Sequence, residues 1–173
     1  MSNETVAKGM WGRFEHNLDE KFRFIVPKRF LSYIGEEVVL CPGPDKSVRV
    51  YPMHVWDELT DQLAAKSISE ELDHNSIMLH RMFGNCEYGS VDSSGRVTIP
   101  KHLREHGDLE NSGPNIFVGM GSRIEIWNRT NWKDQSTKNC SHETVSAAIL
   151  GRLALAVGDF AQYSSVTTLA NGK

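Results

Sequence analysis

The sequence predicts an α+β fold that is built from two copies of one half-domain. Residues 17–31 align without a gap with residues 90–104, and both segments carry Asp-x-x-x-Arg, three strand-forming residues and Pro-Lys. A second match follows further along each copy, where residues 48–51 and Trp56 correspond to residues 124–127 and Trp132. Two matching blocks in the same order indicate a duplication rather than chance similarity.

Each copy predicts the same order of local elements. An apolar strand ends at Leu18 or Val91, and an aspartate then opens a tight turn. A second strand follows, and a proline sets the first turn of a short helix, where its missing N–H does no harm. The predicted strands after the turns cover residues 23–26, 37–41 and 47–51 in the first copy and 96–99, 115–119 and 123–127 in the second. The predicted short helices cover about residues 28–34 and 101–106.

Longer helices are predicted outside the duplicated blocks. Residues 53–66 and 67–83 form two candidates between the copies, and residues 141–160 form an amphipathic helix whose broad apolar face needs a partner. The predicted organisation is therefore a first half-domain with connecting helices at residues 10–83, a second half-domain at 84–135, and a C-terminal helix and tail at 136–173.

Composition excludes several functional classes. With 19 Lys+Arg against 22 Asp+Glu, the net charge of -3 tells against a generic basic nucleic-acid coat but permits a local basic patch. The three cysteines form no CxxC pair, so neither a disulfide framework nor a zinc ribbon is indicated, and a reducing cytoplasm fits best. The polar first residues do not resemble a signal peptide, and the apolar run at 147–157 is too short to span a membrane. We expect no cofactor, no membrane partner and no small-molecule substrate.

The two Asp-x-x-x-Arg segments are the strongest candidates for a functional site. Asp92 and Gly95 occupy the first and fourth positions of a type I turn, and Arg96 projects from the strand that follows. A single turn of this kind is usually only a surface ion pair. Two such turns side by side would present two guanidinium groups on one surface, which suits phosphates or guanine edges. The duplication therefore favours DNA binding.

The duplicated frame resembles the MraZ family, whose members contain two AbrB-like half-domains in one chain. The resemblance covers about residues 10–134 and rests on the segments 17–27, 51–56, 92–104 and 123–127. It implies a swapped-hairpin β-barrel formed by the two halves and association of chains into a ring-like homo-oligomer. It also implies a nucleoid-associated transcription regulator that binds double-stranded DNA at promoter direct repeats upstream of the division and cell-wall gene cluster, usually as a repressor.

The resemblance also implies which residues face DNA. Matched position by position, these are Asp19 and Arg23 in the first turn and Asp92 and Arg96 in the second. Lys21 adds a phosphate contact from the first turn. The basic residues that could extend the patch are Lys28, Arg29, Lys101 and Arg104.

Phe22 departs from the family pattern. The family usually has Gly at this position, and the second copy has Gly95. If φ at Phe22 is positive, the side chain costs about 1–2 kcal/mol, so we expect a reshaped first turn and a less certain role for Arg23 than for Arg96. An alternative is that Phe22 is an exposed aromatic that contacts DNA or a neighbouring subunit.

Other readings are weaker. His102 and His106 have a spacing that can bind a metal, but no third ligand is placed, and His74, His80 and Cys86 match no metal-site pattern. No catalytic motif is present, so we expect no enzyme. Trp56 and Trp132 suit packing better than base stacking.

The remaining alternatives are a ring-forming protein-interaction module that has lost DNA binding and an AbrB-like antitoxin regulator. The latter usually has one half-domain per chain, so the fused repeat disfavours it.

Overall fold

The computed structural model describes residues 9–43, 45–67, 83–109 and 113–138, with one compact unit up to Trp132 and the described residues from Lys133 onward in a second. These ranges contain eight strands and four helices. The first copy contains β1 (Met10–His16), β2 (Arg23–Ile25), α1 (Lys28–Ile34), β3 (Glu37–Pro42), β4 (Val48–Pro52) and α2 (Met53–Ser67). The second contains β5 (Glu87–Ser90), β6 (Arg96–Thr98), α3 (Lys101–Gly107), β7 (Asn115–Gly121), β8 (Ile124–Trp127) and α4 (Arg129–Lys138).

The element order confirms the duplication. Both copies read strand, strand, short helix, strand, strand, helix. The short helices begin directly after Pro27 and Pro100, as the fixed φ of proline predicts. Helix α4 was not predicted, and it occupies the place in the second copy that α2 occupies in the first. The predicted helix at 141–160 lies outside the described residues, as does nearly all of the one at 67–83.

The two copies interlock in a mixed α+β architecture. The larger sheet has six strands in the order β1-β7-β8-β4-β3-β5, and all of its pairs are antiparallel. Strand β1 of the first copy pairs with β7 of the second, and β5 of the second pairs with β3 of the first. Each copy therefore completes its sheet with a strand from the other.

Equivalent positions of the copies meet at two places, which gives the unit pseudo-twofold symmetry. In the small β2–β6 sheet, Phe24 lies opposite Val97. The backbone N–H of Val26 donates to the carbonyl of Gly95 (2.8 Å), and the N–H of Ile99 donates reciprocally to the carbonyl of Phe22 (3.0 Å). In the large sheet, Arg49 lies opposite Glu125 at the centre of the β4–β8 pair.

The main core lies between the elements of both copies. Phe24, Val97 and Leu103 are fully buried in it. Strand β3 is buried on both faces, because alternate residues face this core and a second cluster formed with Tyr51 and Trp56. The prediction of an apolar first strand in each copy was wrong. In β1 only Met10 is buried and β5 has no buried residue, since these are the outermost strands of the sheet.

The repeated aromatic pairs pack within each copy. The rings of Tyr51 and Trp56 are 5.8 Å apart, and those of Trp127 and Trp132 are 5.7 Å apart. Near-equal spacing at equivalent positions confirms that these residues have a packing role.

Candidate nucleic-acid interface

The first turn is closed by the side chain of Asp19. Its Oδ1 accepts hydrogen bonds from the backbone N–H groups of Lys21 and Arg23, both at 2.9 Å. Its Oδ2 accepts from Nε of Arg23 at 2.8 Å and lies 2.7 Å from Nη2 of the same residue. The carboxylate therefore fixes the turn backbone with one oxygen and the guanidinium with the other.

The second turn repeats this arrangement. Oδ1 of Asp92 accepts from the N–H groups of Ser94 and Arg96, both at 2.9 Å, and Oδ2 accepts from Nε of Arg96 at 2.9 Å. Backbone bonds repeat as well: Phe22 and Gly95 each donate an N–H to the carbonyl of the aspartate that opens their turn, at 2.8 Å.

Phe22 adopts the conformation of the glycine that it replaces. Its φ is +57°, and φ of Gly95 is +74°. The expectation of a reshaped first turn was therefore wrong, because the backbone and carboxylate hydrogen bonds of the two turns match. Phe22 is half-buried against the main core, so it is not the exposed aromatic of the alternative reading either.

A stacked guanidinium accompanies the strained Phe22. The Cζ atom of Arg104 lies 3.5 Å from the centroid of the Phe22 ring, and its Nε donates to the carbonyl of Ile99 at 3.1 Å. At the equivalent position of the first copy is Leu31, which lies beside Gly95. One turn therefore combines Phe with Arg and the other Gly with Leu. A cation–π contact contributes about 0.5–2 kcal/mol, similar to the cost of a positive φ at Phe.

The fold brings the two turns together. Nη1 of Arg23 lies 3.5 Å from Oδ2 of Asp92, so the arginine of the first turn reaches the aspartate of the second. The two arginines begin β2 and β6, whose central residues point into the core. Since side chains alternate along a strand, the other face of this two-stranded ribbon carries Arg23, Ile25, Arg96 and Thr98.

Ile25 is a ribbon residue that the sequence reasoning missed as a site residue. Ile25 is 60% exposed, and it lies two residues after Arg23 on the same strand. It pairs across the ribbon with Arg96, while Thr98 pairs with Arg23. Because side chains alternate along a strand, the apolar Phe24 could have indicated that Ile25 points to the opposite face, towards solvent. Only the pairing of β2 with β6 places Ile25 beside both turns.

The hydrogen bonds of the turns lower the pKa of both aspartates. For Asp19 the largest cause is the side-chain bond from Arg23, followed by the backbone N–H of the same residue. For Asp92 the largest cause is the backbone N–H of Arg96. Both groups are therefore carboxylates at neutral pH, and both turns carry a fixed charge pair.

The outlying basic residues differ in their surroundings. Lys21 and Lys28 are exposed, and Lys101 is exposed with its Nζ 3.6 Å from Glu105. The guanidinium of Arg29 donates to the carbonyl of Trp11 at 2.7 Å, and its Cζ lies 4.7 Å from the Phe14 ring centroid. Arg29 and Arg104 are thus held by contacts within the fold, whereas the three lysines keep their side chains in solvent.

The histidines that were considered as metal ligands contact backbone carbonyls. Nε2 of His102 lies 3.1 Å from the oxygen of Asn85, and Nε2 of His106 lies 2.9 Å from the oxygen of Gly43. Within the described ranges, no group of three or more His, Cys, Asp or Glu side chains could hold a metal ion. Among the helices of those ranges, none has the length and apolar character to cross a bilayer.

Comparison with known families agrees with the duplicated geometry. The family model described as "MraZ protein, putative antitoxin-like" matches residues 10–76 and again residues 82–153, once for each copy. The chain belongs to the MraZ family. Its two Asp-x-x-x-Arg turns each fall within one of the two family matches.

Relatives within the MraZ family cover most of the chain. A protein of Caldanaerobacter subterraneus subsp. tengcongensis is 34% identical over 127 residues, which is 73% of this chain and 86% of the relative. A protein of Halothermothrix orenii is 33% identical over 143 residues, 80% of this chain and 94% of the relative. One of Heliobacterium modesticaldum is 33% identical over 144 residues, 80% and 95% respectively. All three are named transcriptional regulator MraZ.

Proposed function

We propose that this protein is a sequence-specific, DNA-binding transcription regulator of the cytoplasm and nucleoid that presents the β2–β6 ribbon and its two turns to DNA. The observation that carries the proposal is the 3.5 Å approach of Arg23 to Asp92, which joins both turns into one surface. The names of the relatives support the regulatory role. We further propose that β2 and β6 are part of the swapped-hairpin barrel expected for this family.

The shape of the ribbon suits the major groove. The groove admits a two-stranded β-ribbon, and arginine makes the commonest specific contact there, to guanine. Asp92 holds Arg96 by its Nε edge, which leaves the Nη1–Nη2 edge of the guanidinium for a base or a phosphate. Arg96 is therefore our first candidate base-reading residue. Arg23 is the second, although its guanidinium also joins the two turns through Asp19 and Asp92. Asp92 and Asp19 are the residues that position the two arginines.

The lysines provide the sequence-independent part of the affinity. Lys21 is exposed on the first turn, and Lys28 and Lys101 are exposed at the first positions of α1 and α3. We propose that these three lysines contact phosphates. Phosphate neutralisation depends on a local patch, so the overall charge of -3 does not oppose binding. We assign Arg29 and Arg104 mainly a supporting role, because their guanidinium groups are engaged within the fold.

We propose that chains associate head to tail into a ring. Trp11 of β1 is 65% exposed, beside the 43% exposed Met120, and Tyr88 of β5 is 70% exposed. These aromatic residues lie on the two opposite outer strands of the six-stranded sheet. Two edges with different exposed aromatic residues suit a heterologous interface, which forms a ring where the rotation between subunits closes, and we propose that it does so here.

A head-to-tail ring suits direct repeats as the operator. Successive subunits are related by rotation, so neighbouring ribbons present themselves to DNA with the same polarity, and palindromic half-sites are not required. Together with the family resemblance, this supports repression at direct repeats upstream of the division and cell-wall gene cluster.

A DNA titration tests the central proposal. Purified protein is titrated by fluorescence anisotropy against the DNA upstream of its own gene and against a scrambled duplex, over a salt series. We expect selective binding that the Arg23→Ala/Arg96→Ala variant loses while Arg129→Ala, an exposed arginine of α4, keeps it. Equal binding to both duplexes would contradict sequence specificity. A folded, oligomeric protein that binds neither duplex would favour the protein-interaction module.

The ring proposal is tested with two edge variants. If each contact joins a Trp11 edge to a Tyr88 edge, then Trp11→Glu and Tyr88→Glu are each monomeric by native mass spectrometry. Their equimolar mixture forms a heterodimer through the two remaining edges. Dimers of either variant alone would instead indicate an interface in which like edges meet.

A further inference from the structure

Two cysteines that are far apart in sequence meet between the copies. Cys41 is at the end of β3, and Cys86 directly precedes β5. The β3–β5 register pairs Leu40 with Glu87, so its continuation by one position places the two cysteines opposite each other. Their Sγ atoms are 2.8 Å apart, about 0.8 Å more than the length of a disulfide bond.

The strand geometry permits a bond between them. Residues that lie directly opposite in an antiparallel pair have Cα atoms about 4.5–5.5 Å apart, within the range that a disulfide spans. Both side chains belong to the cluster of Val39, Tyr51 and Trp56 on one face of the sheet. Bond formation therefore requires rotation of the side chains rather than movement of the strands.

We propose that Cys41 and Cys86 form an oxidation-sensitive thiol pair, which closes to a disulfide when a hydroperoxide reaches Cys86. Cys86 is partly exposed, whereas Cys41 is fully buried. The two thiols therefore have different roles: the accessible Cys86 meets the oxidant, and the buried Cys41 resolves the product.

The sulfur–sulfur hydrogen bond supports this order. It raises the pKa of the Cys41 thiol, with burial as a second cause. The same bond lowers the pKa of Cys86 and favours its thiolate, the nucleophilic form.

With hydrogen peroxide as the oxidant, the reaction consumes one peroxide molecule. The Cys86 sulfur attacks a peroxide oxygen, the O–O bond breaks, and one water leaves after protonation, so that Cys86 becomes a sulfenic acid. The Cys41 sulfur then attacks the Cys86 sulfur, the S–O bond breaks, and the hydroxyl group leaves with the thiol proton as a second water. Two thiols lose two electrons in total, and the peroxide is reduced to two waters.

The bond would staple the second copy to the first at an outer strand. The short strand β5 forms this edge of the six-stranded sheet, the backbone N–H of Val91 donates to the carbonyl of Glu36 at 2.8 Å, and the chain then enters the Asp92 turn. Short outer strands open readily. The pair has no counterpart in the other half of the molecule, where Arg13 lies opposite Val118 at the equivalent place.

Mass spectrometry of the full chain tests the proposal. The Cys140→Ser variant, which removes the third cysteine, is reduced, exposed to hydrogen peroxide and alkylated with N-ethylmaleimide. We expect a product lighter by two hydrogens, a linked Cys41–Cys86 peptide, and full reversal by dithiothreitol. Cys86→Ser, a conservative change at a partly exposed site, serves as the control that cannot form the bond. Reduced thiols throughout, or over-oxidation of Cys86 beside an unreacted Cys41, would overturn the proposal.

Thermal unfolding tests the stapling role. The oxidised Cys140→Ser variant should melt roughly 5–15 °C above the same sample after reduction with dithiothreitol. The melting temperature of Cys86→Ser should be the same after peroxide treatment as after reduction with dithiothreitol. An unchanged melting temperature in a sample that contains the bond would contradict the staple. Wild-type protein is oxidised in parallel, and its linked peptides are identified by mass spectrometry. A disulfide between Cys86 and Cys140 instead of Cys41 would also overturn the pairing. None of these readouts requires DNA binding.

Discussion

The two Asp-x-x-x-Arg turns have the same hydrogen bonds but different means of supporting them. The second turn has Gly95 at positive φ beside Leu31, and the first has Phe22 at positive φ beneath Arg104. The arginines also differ: Arg23 contacts the aspartates of both turns and its side chain is 22% exposed, whereas Arg96 contacts its own aspartate and is 32% exposed. The comparison shows that the two turns keep one geometry while their arginines differ in role. Arg23 mainly joins the two turns, and Arg96 is the more available for contact with a ligand.

The largest expected effect concerns DNA affinity. Arg96→Ala should weaken binding about 10- to 100-fold with the fold intact, because a base-reading arginine contributes about 1–3 kcal/mol. Arg23→Ala should weaken it to an equal or smaller degree, but should lower stability more, because it removes the contact between the turns. Anisotropy titrations and denaturant unfolding of both variants measure the two effects. Greater loss of stability in Arg96→Ala would reverse our assignment of the arginines.

The stacked pair should be coupled in stability. Arg104→Ala removes the cation–π contact and leaves Phe22 at positive φ, so we expect a loss of about 1–2 kcal/mol in the free energy of unfolding. Phe22→Gly/Arg104→Leu copies the second turn and should restore most of that loss. A double-mutant cycle over Phe22 and Arg104 measures the coupling by urea denaturation. The matched cycle on the second turn, Leu31→Ala with Gly95→Ala, should give a smaller coupling, and equal values would contradict our account.

Ile25 and Thr98 offer a smaller test on the ribbon itself. Ile25→Thr makes the outward faces of β2 and β6 alike, and since the side chain is exposed, stability should change by less than about 0.5 kcal/mol. If Ile25 contacts a thymine methyl group, selectivity at one base pair of the operator should fall about 2- to 5-fold. Competition with single-base operator variants measures this, with Arg129→Ala as an exposed control outside the ribbon. Unaltered selectivity would remove Ile25 from the interface.

The smallest effect distinguishes the two carboxylates. Arg23→Ala should raise the pKa of Asp19 more than Arg96→Ala raises that of Asp92, because the largest cause at Asp92 is a backbone N–H that alanine keeps. Carboxyl NMR titration between about pH 2 and 6 measures both values. Since both pKa values are lowered in the fold, each turn stabilises the protein above about pH 4 and loses that contribution as pH falls through the folded pKa. Equal rises would contradict the difference between the turns.

Some elements followed from the sequence because their causes are local. Proline at the start of α1 and α3 fixes φ, and the predicted helix at 28–34 matches α1. The aspartate turns also followed, since their carboxylates bond to backbone groups two and four residues away. The first strands were mispredicted as apolar because nothing local shows that β1 and β5 would lie at the edges of the sheet.

The sequence by itself determined the duplication, the order of elements in each copy, the membership in a family and the residues of the two turns. Only the tertiary structure decided that β1 pairs with β7 and β5 with β3, that Arg23 reaches Asp92, that Arg104 covers Phe22, and that Cys41 meets Cys86. The physical reason is the range of the interactions. Turn bonds and helix starts act over a few residues, whereas strand exchange between copies joins residues 47 to 111 positions apart, and no local pattern encodes such a pairing.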